Sequence, residues 1–168
     1  PHPPKHSFPT RRSSDLPEHR KFMRQIFVSM DITAPLYWWK EFDTYKVGTT
    51  ANSCSTMHKL TAKRFTLEDF STDHIEPECT HVITTVIAAL NEMRDEYLKT
   101  NDKGLWYTMV QLLPSSYNQR RTVTMTYENA FNIIQQRSGH KLQEWLDFVN
   151  VLLGLPYMGD LVTAQKGS

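Results

Sequence analysis

Two cysteines, Cys54 and Cys79, are all that the 168 residues contain. That is too few for the disulfide framework of a small secreted domain, and it suits a reducing cytosol, where the protein is expected to reside. Long apolar runs are also missing. No stretch approaches the ~20 residues that a helix needs to cross a bilayer, so no membrane partner is expected. Charge of one sign is not in excess either. Lys and Arg number 19 against 18 Asp and Glu. The first sixteen residues hold three of those basic residues and one of the acidic ones, leaving 16 and 17 in the rest. A balance of that kind provides no global positive field for nonspecific nucleic-acid binding, and no nucleic-acid partner is expected. Metal ligands are not patterned: His74, Glu78, Cys79 and His81 fit no zinc spacing and read as scattered polar residues.

Residues 6–16, His-Ser-Phe-Pro-Thr-Arg-Arg-Ser-Ser-Asp-Leu, read as the translation of a common sequencing-library adapter. Residues 1–16 are therefore expected to be a non-native, disordered segment outside the fold. The alternative is a native basic tail, which the four prolines among them would suit. The absence of an initiator Met agrees with a gene fragment whose start was lost. Residues 17–168 are expected to form a single domain, long enough for a substantial core. Trp38, Trp39, Trp106 and Trp145 are its large packing units.

Along this domain Ile26, Val28, Met30 and Ile32 share one parity, the period-two signature of a strand. Thr33 and Pro35 predict the start of a helix that runs to about Tyr45, buried through its aromatics at 37, 38, 39 and 42. Residues 48–55 read as a loop by composition. Thr66-Leu67-Glu68-Asp69 has the order of a capping box opening a short helix, and Pro77 punctuates the next connection. Apolar residues from Val82 to Leu98 follow helical spacing over residues 80–99, and a further helix spans 105–113. Residues 117–137 are expected to form one long helix stopped by Ser138-Gly139. The last clear helix spans 140–153. Helices outnumber strands, which predicts an α+β domain with a small sheet packed against several long helices.

The segment Thr44-Tyr45-Lys46 and the polar stretch after it offer hydroxyls, amides and a cation at close spacing, the chemistry that a phosphate needs. Its layout resembles the signature of the flavin-dependent thymidylate synthases, the ThyX family. In that family a helix ends in Arg-His-Arg and leads into a Ser-x-Asn-Glu-x-Ser-x-Arg loop. Tyr45-Lys46 takes the place of His-Arg, and Thr44 the place of the first Arg. With one residue inserted in 48–50, Asn52 and Ser55 match, while Ser53 replaces the Glu and Met57 the final Arg. A second block agrees without a gap: Leu113-Pro114, then Asn132, Arg137 five residues later, and Gln143.

The resemblance implies a ThyX-like α+β fold lacking its amino-terminal part and assembled as a homotetramer. It implies FAD as cofactor, held by Lys46, Asn52 and Asn132. It also implies a nucleotide substrate, deoxyuridine monophosphate, held by Ser55, Arg137 and Gln143. The activity implied is methylation of that nucleotide with methylenetetrahydrofolate as carbon donor. Flavin does the redox chemistry in such enzymes, so no protein nucleophile is required. The replaced signature residues leave a second reading open, a noncatalytic oligomeric nucleotide-binding relative on the same scaffold. Outside the motif, Arg120-Arg121 with Lys99 and Lys103 reads as a solvated face. Arg137 by itself could equally cap the carbonyl end of its own helix. His58, His140 and Cys54 have no partner in the sequence that would activate them.

Overall fold

A computed structural model describes residues 17–53 and 59–166. Residues 1–16, 54–58 and 167–168 lie outside that description, and with them the expectations for the adapter-like segment, Cys54, Ser55, Met57 and His58. A 3-10 helix, Pro17–Gln25, leads into β1, Phe27–Pro35. The alternation seen in the sequence is real: Val28, Met30 and Ile32 are half-buried, whereas Phe27, Ser29, Asp31 and Thr33 are exposed. Helix α1 follows at once, Leu36–Phe42, with Pro35 at its start. Thr33 is not its cap. It is the exposed antepenultimate residue of β1, because the strand continues to the proline.

Two sequence expectations are overturned. The stretch read as loop contains strand β2, Thr49–Ser53. The long helix over 117–137 is instead strand β3, Asn118–Thr126, followed by a shorter helix, Tyr127–Arg137. The strands stand in the order β1-β3-β2 in one antiparallel sheet. Its register is legible in hydroxyl contacts: Ser29 Oγ lies 3.0 Å from Thr124 Oγ1, and Thr122 Oγ1 donates to Asp31 Oδ1 at 2.5 Å. Two steps forward on β1 match two steps back on β3, as antiparallel pairing demands. Across β3, Val123 and Met125 are buried and Thr122 is exposed.

The remaining helices are α2, Thr80–Thr100, and α3, Lys103–Leu112, then α4, Tyr127–Arg137, α5, Gln143–Leu153, and α6, Met158–Lys166. The capping box is present as expected, with Asp69 Oδ2 accepting from the Thr66 amide at 2.9 Å. Asn101, at φ 54°, ends α2 in the left-handed conformation that asparagine tolerates, and Asp102 caps α3 through the Gly104 amide at 2.7 Å.

The chain divides into two compact units, with β1, β2 and β3 each contributing residues to both. The first gathers the chain up to Met30, then Tyr45–Thr50, then everything from Thr124. In it α4 packs on the 3-10 helix and on α5 and α6, burying Met23, Phe131, Ile133, Ile134, Trp145 and Leu152. The second holds Asp31–Thr44 and Ala51–Val123. Here α2 packs on α3 around Leu60, Phe65, Phe70, Ile83, Leu90 and Met109. Asn91 is the polar exception in that core. Its side chain accepts from the Phe65 amide at 2.8 Å and donates to the Phe65 carbonyl at 2.9 Å, so burial leaves neither group of that peptide unpaired. Among the described residues no helix is long and apolar enough to cross a membrane.

Candidate functional site

Residues 45–49 run alongside α4, and they do so because one asparagine fixes them. Thr126 caps α4, its hydroxyl accepting from the Asn129 amide at 3.2 Å. The Asn129 side chain then donates to the Val47 carbonyl and, at 2.8 Å, to Thr49 Oγ1. Gly48 turns the chain between those two contacts at φ +71°, and a Cβ there would stand 3.2 Å from Asn129 Nδ2. At the other end of the segment Tyr45 reaches the last turn of α4. Its hydroxyl donates to Gln136 Oε1 at 3.0 Å and accepts from Arg137 Nε at 2.8 Å.

Contacts at Asn129 and at Gln136 fix the register between them. Along α4 Ile133 is buried and Asn132 is exposed. Of the residues expected from sequence, Asn132 and Arg137 both belong to α4 but, five positions apart, stand on different faces of it, and Lys46 lies in the segment that follows α1. Arg137 is held more firmly than an ordinary surface arginine. Its guanidinium lies 4.4 Å from the centroid of the Trp145 ring and 5.6 Å from that of Tyr45. Trp145 is fully buried, so the cation rests on an aromatic floor supplied by α5. His140 closes the edge, its ring 6.0 Å from Trp145 and its Nδ1 accepting from the Leu142 amide at 3.2 Å.

The other expected residues are placed differently. Gln143 is exposed and donates to Asp147 Oδ1 at 2.8 Å, one turn along its own helix. Asn52 is in the second unit, where it borders a cavity of about 320 Å³ together with Ser53, Lys59, Arg120, Asp31 and Thr122. A neighbouring cavity of about 230 Å³ shares Lys59 and Arg120 and adds Lys63, Asp69 and Tyr117. Three cations therefore line adjoining hollows of that unit, and sequence reading missed all three as site residues.

Their counter-charges explain the local ionisation. Arg120 donates to Asp31 Oδ2 at 2.6 Å, and the Asp31 carboxyl is held below its ordinary range by the Thr122 hydroxyl first and by Arg120 second. Lys63 donates to Asp69 Oδ1 at 2.6 Å, which raises the ammonium's pKa. Burial pushes the Asp69 carboxyl up, but hydrogen bonds from Lys63 and the Thr66 amide outweigh it and leave the group below its usual value. The Tyr117 phenol is pushed up, by burial first and then by Asp69.

Arg121 corrects the expectation of a solvated basic face. Its side chain is only 16% exposed, lies 4.3 Å from the Trp39 ring centroid and donates to Asp43 Oδ1 at 2.7 Å. Lys99, paired with Glu96 at 3.3 Å, does belong to solvent. Among the described residues no group of His, Cys, Asp and Glu gathers to hold a metal, and His81 Nδ1 lies 2.7 Å from the Glu78 carbonyl of its own turn.

No protein-family model matches the chain, and no curated protein matches it in sequence. Its three-dimensional likeness is clear. Helices arranged on a three-stranded antiparallel sheet, with one strand leading straight into α4, make the fold of the flavin-dependent thymidylate synthases. One neighbour is the flavin-dependent thymidylate synthase ThyX of Helicobacter pylori complexed with FAD and dUMP. It superposes with a TM-score of 0.70 at 16% identity, over 94% of this chain and 80% of that one. A second structure of ThyX from Helicobacter pylori, again with FAD and dUMP, gives 0.69 at 16% identity over 93% and 81%. The UMP/dUMP methylase PolB of Streptomyces cacaoi, bound with 5-Br UMP, gives 0.51 at 12% identity over 89% and 83%.

Proposed function

We propose that this protein binds deoxyuridine monophosphate and methylates it, with methylenetetrahydrofolate as carbon donor and FAD as redox cofactor. The observation that carries the reading is the agreement of fold, over 94% of the chain, with a thymidylate synthase that holds FAD and dUMP. Arg137 supports it chemically, because its planar fork can pair with two phosphate oxygens at once.

In this reading Arg137 takes the nucleotide phosphate, with Gln143 as its companion, and the Gln143 amide exchanges Asp147 for the ligand. Lys46 and Asn132, of the same unit, take the flavin's phosphates and polar edge. Flavin, when bound, supplies the hydride that completes the methyl group. The chain's own residues bind and orient. The basic cavity bordered by Asn52, Lys59 and Arg120 adds anion-binding chemistry to the second unit. The assembly proposed is a homotetramer of cytoplasmic subunits.

One observation favours the second reading, nucleotide binding without catalysis. Tyr45 occupies the place of the signature imidazole and is bonded on both sides, to Arg137 and to Gln136. The visible absorption spectrum of the purified protein separates the two. A flavin band that stays with the protein and shifts on addition of dUMP is the expected result. Loss of all flavin on desalting after saturation with FAD, with dUMP binding intact, rejects the enzyme in favour of the binding protein. Failure to bind either ligand rejects both.

A further inference from the structure

We infer that a cavity of the second unit, about 240 Å³ and bordered by Lys59, Ala62, Lys63, Phe65, Asp69 and Tyr117, binds a small aromatic carboxylate. This site goes beyond the nucleotide reading above and does not depend on it. Its walls are set by packing. Tyr117 meets Phe65 at 79° and Phe70 at 72°, with ring centroids 6.1 and 5.6 Å apart, and both phenylalanines are buried. Backbone contacts fix Tyr117 as well. Its amide donates to the Pro114 carbonyl and its carbonyl accepts from the Leu36 amide, each at 3.0 Å. A ligand ring therefore meets aromatic surfaces already in place, and edge-to-face contact extends an array that exists without it. The volume lies below the ~300 Å³ at which pockets for drug-sized ligands begin, which suits a single ring.

Charge selects the substituent. Both Asp69 oxygens are engaged: Oδ1 accepts from Lys63 at 2.6 Å, and Oδ2 from the Thr66 amide at 2.9 Å and the Thr66 hydroxyl at 3.2 Å. Lys63 and Asp69 thus offset one another, and Glu68 borders the neighbouring cavity but not this one. Among the described residues the Lys59 ammonium has no carboxylate partner, and the hydroxyl of the half-buried Tyr117 makes no hydrogen bond. Burial raises the Tyr117 pKa, so that hydroxyl stays a donor across the neutral range. One cation and one neutral donor on the wall of a small cavity suit a carboxylate, which accepts from both. A phosphate would bring a second charge against Ala62 and Phe65 with nothing to offset it. A cationic ligand would have to take Asp69 from Lys63 and from the Thr66 peptide.

The test is a chemical-shift titration of the isotope-labelled full chain with benzoate. Benzamide keeps the ring without the charge, and acetate keeps the charge without the ring. Benzoate should shift the amides of residues 59–70 and 117 saturably, and each control should bind at least about 10-fold more weakly. Lys59→Met should weaken benzoate binding at least about 10-fold, and Tyr117→Phe, which keeps the ring and removes only the donor, about 3–10-fold. Unchanged shifts away from the cavity verify that both variants fold. No saturable shift in the wild type up to about 10 mM benzoate would overturn the inference. So would unchanged affinity in either folded variant, shifts confined to other residues, or benzamide, acetate or inorganic phosphate binding this cavity as tightly as benzoate.

Discussion

Two arginines, Arg137 and Arg120, show two ways of holding a positive charge at a surface. Arg137 lies on a buried tryptophan and is bonded to a phenol, partners that carry no net charge. Arg120, with 68% of its side chain exposed, is held by the Asp31 carboxylate. The aromatic contacts fix the position of the Arg137 guanidinium, whereas the carboxylate also offsets charge, so an incoming anion must displace Asp31 to use Arg120 fully. Arg121 combines both devices, stacked on Trp39 and paired with Asp43, and its burial fits a structural role. Basic residues adjacent in sequence thus differ in availability because of what lies beneath them.

Trp145→Ala should break that contrast most severely. It removes the floor under Arg137 and opens a cavity in the α4–α5 core, which should cost about 3–5 kcal/mol of stability, read as a fall in the urea midpoint. A loss under 1 kcal/mol would mean that the arginine corner is not built on packing. Asn91→Ala probes the second unit by stranding the Phe65 peptide in its core. It should cost about 2–3 kcal/mol, measured the same way.

Arg137→Ala should lower stability by about 1 kcal/mol, the worth of a part-buried cation–π contact. Arg120→Ala should leave the midpoint unchanged, as exposed ion pairs generally do. Equal losses from the two would erase the distinction drawn between them. The smallest effect expected is on pH dependence. The folded Asp69 carboxyl lies below its unfolded value, so its contribution is present above about pH 4 and is lost as pH falls through the folded value. Asp69→Asn should therefore flatten the acid limb of a stability–pH curve. An unchanged acid limb would remove the Lys63–Asp69 pair from the account.

Much of the architecture could be read from local pattern. Alternation gave β1, the capping box gave the turn at Thr66, and helical spacing gave α2 and α3 nearly to the residue. The larger error has a plain physical cause. Residues 127–134 carry a strong helical period, and its apolar positions extend back through Val123, so strand and helix merged into one reading. Local signals against that merger were present. Thr122, Val123, Thr124, Met125 and Thr126 alternate and are largely β-branched, and Thr126 stands three residues before Asn129 as a helix cap. For β2 the signal was weaker: Thr-Thr-Ala-Asn-Ser has loop composition. It is a strand because β3 offers it a partner.

The candidate site divides along the same line. Resemblance to the ThyX signature blocks singled out Lys46, Asn132 and Arg137, because motif order is a property of the chain itself. Sequence could not show that Tyr45 orients Arg137 across 92 residues, that Trp145 lies beneath it, or that Lys59, Lys63 and Arg120 border adjoining hollows. The chain by itself determined which segments bury an apolar face and where most helices start and stop, since propensity, capping and periodicity act within a few residues. Tertiary structure alone decided which polar segment became a strand, which cations were set beside carboxylates and which were laid on aromatic rings. Those outcomes depend on partners brought near by folding, and separation along the chain carries no record of them.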